Sequence, residues 1–65
     1  MRHFLFYEKN TGEDFIVGAY SKREAWDIAK EVADNIHEYS GMATILSYGG
    51  EITDDEAEAS GLDEY

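Results

Sequence analysis

The sequence predicts an α+β fold, in which one main helix packs on a three-stranded antiparallel sheet in the order β-β-α-β, followed by a short C-terminal helix. Three observations lead to this prediction. Two apolar runs flank a glycine-containing turn within 3–20, helical periodicity fills 22–39, and a third apolar run at 43–48 ends at two glycines. With 65 residues, the chain has room for one domain with a thin core.

The hairpin at 3–20 joins HFLFYE to EDFIVGAY through KNTG, where Gly12 suits a type I turn closed by a glycine bulge. Placing Lys9 opposite Glu13 fixes a register and divides the strand residues between two faces. One face carries Leu5, Tyr7, Phe15, Val17 and Ala19, and the other carries Phe4, Phe6, Ile16 and Tyr20. We expect the helix to cover the first face, because Ala19 leads directly into the start of the helix.

Each helix begins with a capping box, in which a hydroxyl and a carboxylate satisfy backbone N–H groups of the first turn. Ser21 and Glu24 mark the start of the helix at 22–39, and Thr53 and Glu56 mark the start of the acidic helix at 54–60. The long helix has a broad apolar face. Its members are Ala25, Trp26, Ile28, Ala29, Val32, Ala33, Ile36 and Tyr39.

Opposite this apolar face lies a row of carboxylates spaced three and four residues apart. The row consists of Glu24, Asp27, Glu31, Asp34 and Glu38. Neighbours at this spacing stand about 5–6 Å apart, which is close to the spacing of phosphates along a DNA strand. Arg23 and Lys30 are within reach of the row and could soften its charge. The row is therefore either a phosphate mimic or a solvated helix face.

The net charge of −10 is distributed unevenly along the chain. Residues 1–40 hold eight acids and five bases, whereas residues 41–65 hold seven acids and no base. Such a chain repels nucleic acids and anionic membranes and attracts a basic protein surface. A second acidic cluster, formed by Asp54, Asp55, Glu56 and Glu58, is expected to assist the first in binding a partner.

Catalysis is not expected, because the sequence has no nucleophile–base pattern, phosphate-binding loop or paired-acid motif. The acid-rich C-terminus lacks the spacing of a calcium-binding loop, and we expect no metal site and no cofactor. The N-terminal residues lack the apolar segment of a signal peptide, and no apolar run of about 20 residues follows. The chain is thus predicted to be cytoplasmic.

The second sheet face offers a different route to function. Its apolar residues Phe4, Phe6, Ile16 and Tyr20 would form an exposed patch unless another segment covers them. One alternative is a small accessory or structural interaction module that forms a homodimer through this patch. The other is that the C-terminal segment, with Ile52, Ala57 and Leu62, folds over it.

The stretch DFIVGAYSKREAWDIAKEVAD, about a third of the chain, fits the pattern aromatic-x-Val-x-Ala-x-Ser-x-x-Glu-Ala followed by a helix. It resembles a strand-to-capped-helix unit of small phage and mobile-element proteins. In size, charge and composition the chain resembles the DNA-mimic, anti-restriction and anti-CRISPR proteins of that class, although no individual member and no functional residue is matched. The resemblance implies a non-enzymatic inhibitor that acts in a bacterial host cell on the nucleic-acid-binding surface of a CRISPR effector or restriction enzyme.

Overall fold

A computed structural model describes residues 1–9, 12–37 and 45–65 of the chain. The elements are β1 (Arg2–Glu8), β2 (Glu13–Ala19), α1 (Lys22–His37), β3 (Leu46–Ile52) and α2 (Asp54–Ser60). The strands form one antiparallel sheet in the order β2-β1-β3. The predicted α+β fold is confirmed, with one main helix and a short C-terminal helix. The predicted helix end at 38–39 and strand start at 43–44 lie outside the described residues.

The hairpin forms where the sequence predicts it, but its register is one residue away from the predicted one. Gly12 has a positive φ of 74° and its N–H donates to the Glu8 carbonyl at 2.9 Å. Glu13 is paired with Glu8 rather than with Lys9, and Phe15 is paired with Phe6 rather than with Tyr7. Because side chains alternate between the faces of a strand, this single step changes which residues of β1 share a face with Phe15.

As a result, the structure gathers the three phenylalanines on one sheet face. Phe4, Phe6 and Phe15 are all buried there, together with Val17 and Ala19. The prediction that Phe15, Val17 and Ala19 face the helix is correct. The prediction that Leu5 and Tyr7 accompany them is wrong, since these two residues lie on the opposite face of β1.

Helix α1 covers the phenylalanine face and lies close to it through a ridge of small residues. Ala25, Ala29 and Ala33 are spaced four residues apart and are fully buried. The helix begins at Lys22 as predicted, and the Glu24 N–H donates to Ser21 Oγ at 3.1 Å. The Glu24 carboxylate accepts from the Tyr20 N–H at 3.1 Å, one residue before the cap, so the reciprocal half of the predicted capping box is shifted by one residue. Alanine side chains let the helix approach the sheet, and aromatic rings fill the space between them.

An aromatic cluster centred on Phe6 occupies the middle of this interface. The Phe6 ring lies 6.0 Å from the Phe15 ring, 5.1 Å from the Trp26 ring and 5.6 Å from the Tyr48 ring, measured between centroids. The contacts to Trp26 and Tyr48 are edge-on, a favourable arrangement for aromatic rings. Phe6 thus joins β1, β2, α1 and β3 in one core.

Strand β3 continues through the two glycines that were predicted to end it. Tyr48 pairs with Phe6 and Gly50 pairs with Leu5, so Gly49 is an extra residue that forms a bulge. Gly50 has a φ of +105°, and a Cβ atom on Gly49 would lie 2.7 Å from Tyr7 Cε2. The glycines therefore allow the strand to bend and reach Ile52, instead of stopping it at residue 48.

The C-terminal segment covers the sheet face opposite α1. Ile16 points to that face and is fully buried, and Ala57 and Leu62 lie around the same groove. After α2, the chain reaches the outer edge of β2, where Glu64 forms a parallel bridge with Ile16. The molecule consequently has three layers, with α1 on one side of the sheet and α2 on the other.

Candidate partner-binding surface

The carboxylate row of α1 is exposed to solvent along its described length. Glu24, Asp27, Glu31 and Asp34 all lie on the outer face of the helix, away from the buried alanine ridge. From the first to the last of these residues, the helix rises by about 15 Å. The remaining member of the predicted row, Glu38, lies outside the described residues.

The bases near this row do not neutralise it in the described structure. Within residues 12–37, neither Arg23 nor Lys30 forms an ion pair with a carboxylate of the row. Lys22 instead places its ammonium group 4.5 Å from the centre of the Tyr48 ring. The partial neutralisation of the row by Arg23 and Lys30 that the sequence suggested is therefore absent from this part of the chain. Asp27, Glu31 and Asp34 are exposed to solvent.

The acids near the C-terminus are used differently, and Glu51 is the first example. Arg2 Nε donates to Glu51 Oε2 at 2.9 Å, and Arg2 Nη2 donates to Glu51 Oε1 at 2.8 Å. This two-bond pairing lowers the pKa of Glu51 below its ordinary value, because the hydrogen bonds from Arg2 outweigh desolvation. The same pairing raises the pKa of Arg2. Glu51 thus serves to join β3 to β1.

Two further C-terminal acids bind His3, on the sheet face that α2 covers. His3 Nε2 contacts Asp54 Oδ1 at 2.5 Å, and His3 Nδ1 contacts Glu64 Oε2. These contacts raise the pKa of His3, with the hydrogen bond to Glu64 as the largest cause. A fourth acid, Glu56, completes the predicted capping box by accepting a hydrogen bond from the Thr53 N–H at 3.1 Å. Four of the seven C-terminal acids therefore have structural partners.

The two acidic regions do not form one continuous surface. The α1 row lies on the outside of the first layer, whereas the predicted helpers Asp54, Asp55, Glu56 and Glu58 belong to α2, on the other side of the sheet. Asp54 and Glu56 are also engaged within the chain. The structure therefore places the described partner-binding residues proposed from the sequence in two separate groups, one on α1 and one on α2.

The predicted apolar interface is not a surface of this molecule. Phe4 and Phe6 are 0% exposed beneath α1, and Ile16 is 0% exposed on the opposite face, beneath the C-terminal segment. Only Tyr20, at 74% exposure, lies in solvent. The difference follows from the register of the hairpin and from the coverage by α2, which corresponds to the alternative in which the C-terminus folds over the sheet.

Sequence reasoning missed His3 and Arg2, whose importance depends on contacts with residues about 50 or more positions away. No local pattern could have identified them. Among the described residues, no group of three or more His, Cys, Asp or Glu side chains is arranged to hold a metal ion.

Neither helix, in the parts of the chain that the structure describes, is long and apolar enough to cross a membrane.

Comparisons of the chain with protein-family models, with curated proteins and with solved structures found no match.

Proposed function

We propose that the protein is a non-enzymatic inhibitor that binds the nucleic-acid-binding surface of a host defence protein, such as a CRISPR effector or a restriction enzyme. The observation that carries this proposal is the set of exposed carboxylates of Asp27, Glu31 and Asp34, which have no ion pair within residues 12–37. These carboxylates take the place of phosphates. Glu24, at the start of the row, contributes charge while it also caps the helix.

The spacing of the carboxylates in the row is close enough to that of phosphates to fit a protein surface that normally binds nucleic acid. Four carboxylates spanning about 15 Å of helix are on average about 5 Å apart along the helix axis, compared with about 3.4 Å between successive phosphates along the axis of one DNA strand. Lys and Arg side chains that neutralise successive phosphates can therefore pair with successive carboxylates. Nucleic acid itself is repelled by the net charge of −10, which favours a protein partner.

The support beneath the row also favours binding. The row stands on a helix whose opposite side is anchored by Ala25, Ala29 and Ala33 against the aromatic core. Because the backbone is already ordered, little conformational entropy is lost when a partner binds. In its size, charge and composition the domain resembles the phage and mobile-element inhibitors described above, and competition for the nucleic-acid site is the mechanism that follows.

The test is a comparison of two charge variants with the same net charge. One variant carries Asp27→Asn, Glu31→Gln and Asp34→Asn, and we expect about a hundredfold weaker inhibition, since each surface ion pair contributes up to about 1 kcal/mol. Inhibition would be measured as DNA cleavage by a panel of purified CRISPR effectors and restriction enzymes. The inhibition by the unmodified protein should also weaken as salt is raised.

The matched control variant changes the other side of the molecule. It carries Asp55→Asn, Glu58→Gln and Asp63→Asn, three exposed acids that form no ion pair among the described residues. Its net charge is likewise three units less negative than −10. We expect it to inhibit like the unmodified protein. Equal loss of inhibition in both variants would mean that total charge, rather than the α1 row, determines binding.

A further inference from the structure

The environment of His3 suggests a second property of this fold, independent of the α1 row. His3 lies in the central strand, points to the face that α2 covers, and has a side chain that is 17% exposed. Its two ring nitrogens face two different carboxylates, Asp54 through Nε2 and Glu64 through Nδ1. These carboxylates belong to opposite ends of the segment 54–65, so one imidazole connects both ends of this segment to the sheet.

The two contacts of His3 place a requirement on the protonation state of its imidazole ring. An ionised carboxylate can only accept hydrogen bonds, and a neutral imidazole carries one N–H and one unprotonated acceptor nitrogen. Only the imidazolium can donate to Asp54 and Glu64 at the same time. When the ring loses a proton, one nitrogen presents a lone pair to a carboxylate, so one of the two connections becomes repulsive.

The rest of the attachment is small. The backbone of the tail makes three hydrogen bonds with the edge of β2: the Ile16 N–H donates to the Asp63 carbonyl, the Tyr65 N–H to the Ile16 carbonyl, and the Gly18 N–H to the Tyr65 carbonyl. The Tyr65 ring contacts the Phe15 ring edge-on, and α2 has no fully buried residue. Because the attachment buries so little surface, the equilibrium between the attached and the detached segment is readily shifted by the charge-assisted hydrogen bonds of His3.

We propose that His3 is a pH-sensitive latch, which holds the segment 54–65 on the sheet when protonated and releases it when neutral. Release uncovers Ile16 and frees the backbone groups of residues 16 and 18 at the edge of β2. The latch lies on the opposite side of the sheet from the α1 row, so it neither requires nor extends the proposed inhibitory function.

The other charges near the ring favour its protonated form. Besides its two partners, Glu58 lies around the same groove, and Glu51 lies on the adjoining side. The positive groups nearby are Arg2, which is bound to Glu51, and the amino group of Met1. Acidic groups therefore predominate around His3.

The direction of the pH dependence follows from the raised pKa of His3 relative to 6.5. Below pH 6.5 the imidazolium is present whether or not the tail is attached, and its stabilising effect is complete. As the pH rises through the pKa of the folded protein, the proton is lost and the stabilisation disappears. The latch is therefore closed at mildly acidic pH and opens on the alkaline side.

The experiment measures amide hydrogen exchange in the full chain by NMR between about pH 5.5 and 8.5, corrected for intrinsic exchange rates. We expect the protection of the Ile16, Gly18 and Tyr65 amides to fall about two- to fivefold as His3 titrates, since a surface ion pair has this order of effect. The amide of Val17, a residue that pairs with Phe4 of β1, should keep its protection. The His3 ring signals should titrate above pH 6.5.

Three variants make the result decisive. His3→Gln should give low, pH-independent protection of the tail amides. Glu64→Gln should move the His3 midpoint downwards, since Glu64 makes the largest contribution to it. His37→Gln, which changes the other histidine of the chain, should keep the pH profile of the unmodified protein. The latch is refuted if tail protection is unchanged across the His3 transition, or if His3→Gln retains the normal profile.

Discussion

The two acidic regions of this protein differ in whether their carboxylates have partners within the chain. The carboxylates of α1 point away from the core, and Asp27, Glu31 and Asp34 bind nothing in residues 12–37. In the C-terminal region, Glu51 binds Arg2, and Asp54 and Glu64 bind His3. The region that looks least compensated in the sequence, with seven acids and no base, is thus the better compensated in space.

The reason for this difference is the position of β1 in the sheet. Because β1 is the central strand, its first residues lie beside the end of β3 and beneath the C-terminal segment. Arg2 and His3 therefore meet acids that are 49–61 positions away in the chain. Local charge counts indicate what a segment can attract, whereas the topology determines what it actually contacts.

The two helical layers also differ in packing, because α1 lies on the main hydrophobic core and α2 does not. Phe6→Ala should have the largest effect, lowering the free energy of unfolding by about 3–5 kcal/mol. A domain of this size has roughly that much stability in total, so the variant should be mostly unfolded. Urea unfolding can be followed by the fluorescence of Trp26, which contacts Phe6. Tyr20→Ala, at a position that is 74% exposed, is the control and should change stability little.

A change in the second layer should have a smaller and more local effect. Thr53→Ala removes the side chain that accepts the Glu56 N–H at 3.1 Å and should cost about 1 kcal/mol. Thr53→Ser keeps the hydroxyl and should retain most of the stability. Hydrogen exchange of the α2 amides measures both variants. If α1 amides lost protection as much as α2 amides, the two layers would unfold together and the distinction between them would be wrong.

Neutralising the α1 row should change stability in the other direction. Within residues 24–34, Asp27→Asn, Glu31→Gln and Asp34→Asn together remove three like-charge neighbour pairs and should raise the free energy of unfolding by about 0.6–1.5 kcal/mol. Thermal and urea unfolding at low salt measure the gain, which should shrink as salt increases. A loss of stability would show that these carboxylates have structural partners, as those of the C-terminal region do.

The pairing of Glu51 with Arg2 allows a direct test of whether a C-terminal carboxylate is compensated by a base within the chain. Because the folded protein lowers the pKa of Glu51 from 4.5, its contribution to stability is present above that value and is lost as the pH falls through the folded pKa. NMR titration should place the Glu51 midpoint below 4.5, and Arg2→Gln should move it upwards. A midpoint that does not respond to Arg2→Gln would show that the ion pair is not what lowers the pKa of Glu51.

Local sequence signals predicted the elements of the fold well. The capping residues Ser21 and Thr53 identified where both helices begin, and Gly12 identified the turn of the hairpin. The 3.6-residue periodicity correctly separated the buried alanine ridge of α1 from its acidic face. These features depend on interactions within a few residues, which a sequence displays directly.

Register and strand extent required information that local signals do not contain. Both faces of the hairpin are apolar, so hydrophobic alternation did not distinguish the pairing of Phe15 with Phe6 from its pairing with Tyr7. Likewise, Gly49 and Gly50 signal a break in isolation, but beside Tyr7 they form a bulge within a continuing strand. The position of the C-terminal acids depended on the same long-range topology.

That bulge has a consequence for the behaviour of the protein in concentrated solution. Within the described residues, β3 forms the outer edge of the sheet, where unpaired backbone groups can recruit strands of other copies. The extra residue at Gly49 and the positive φ of Gly50 interrupt the regular alternation of donors and acceptors along this edge. Because the charged Glu51 follows directly, we expect this edge to be a poor template for the addition of further strands, and we expect the two glycines to hinder the growth of fibres.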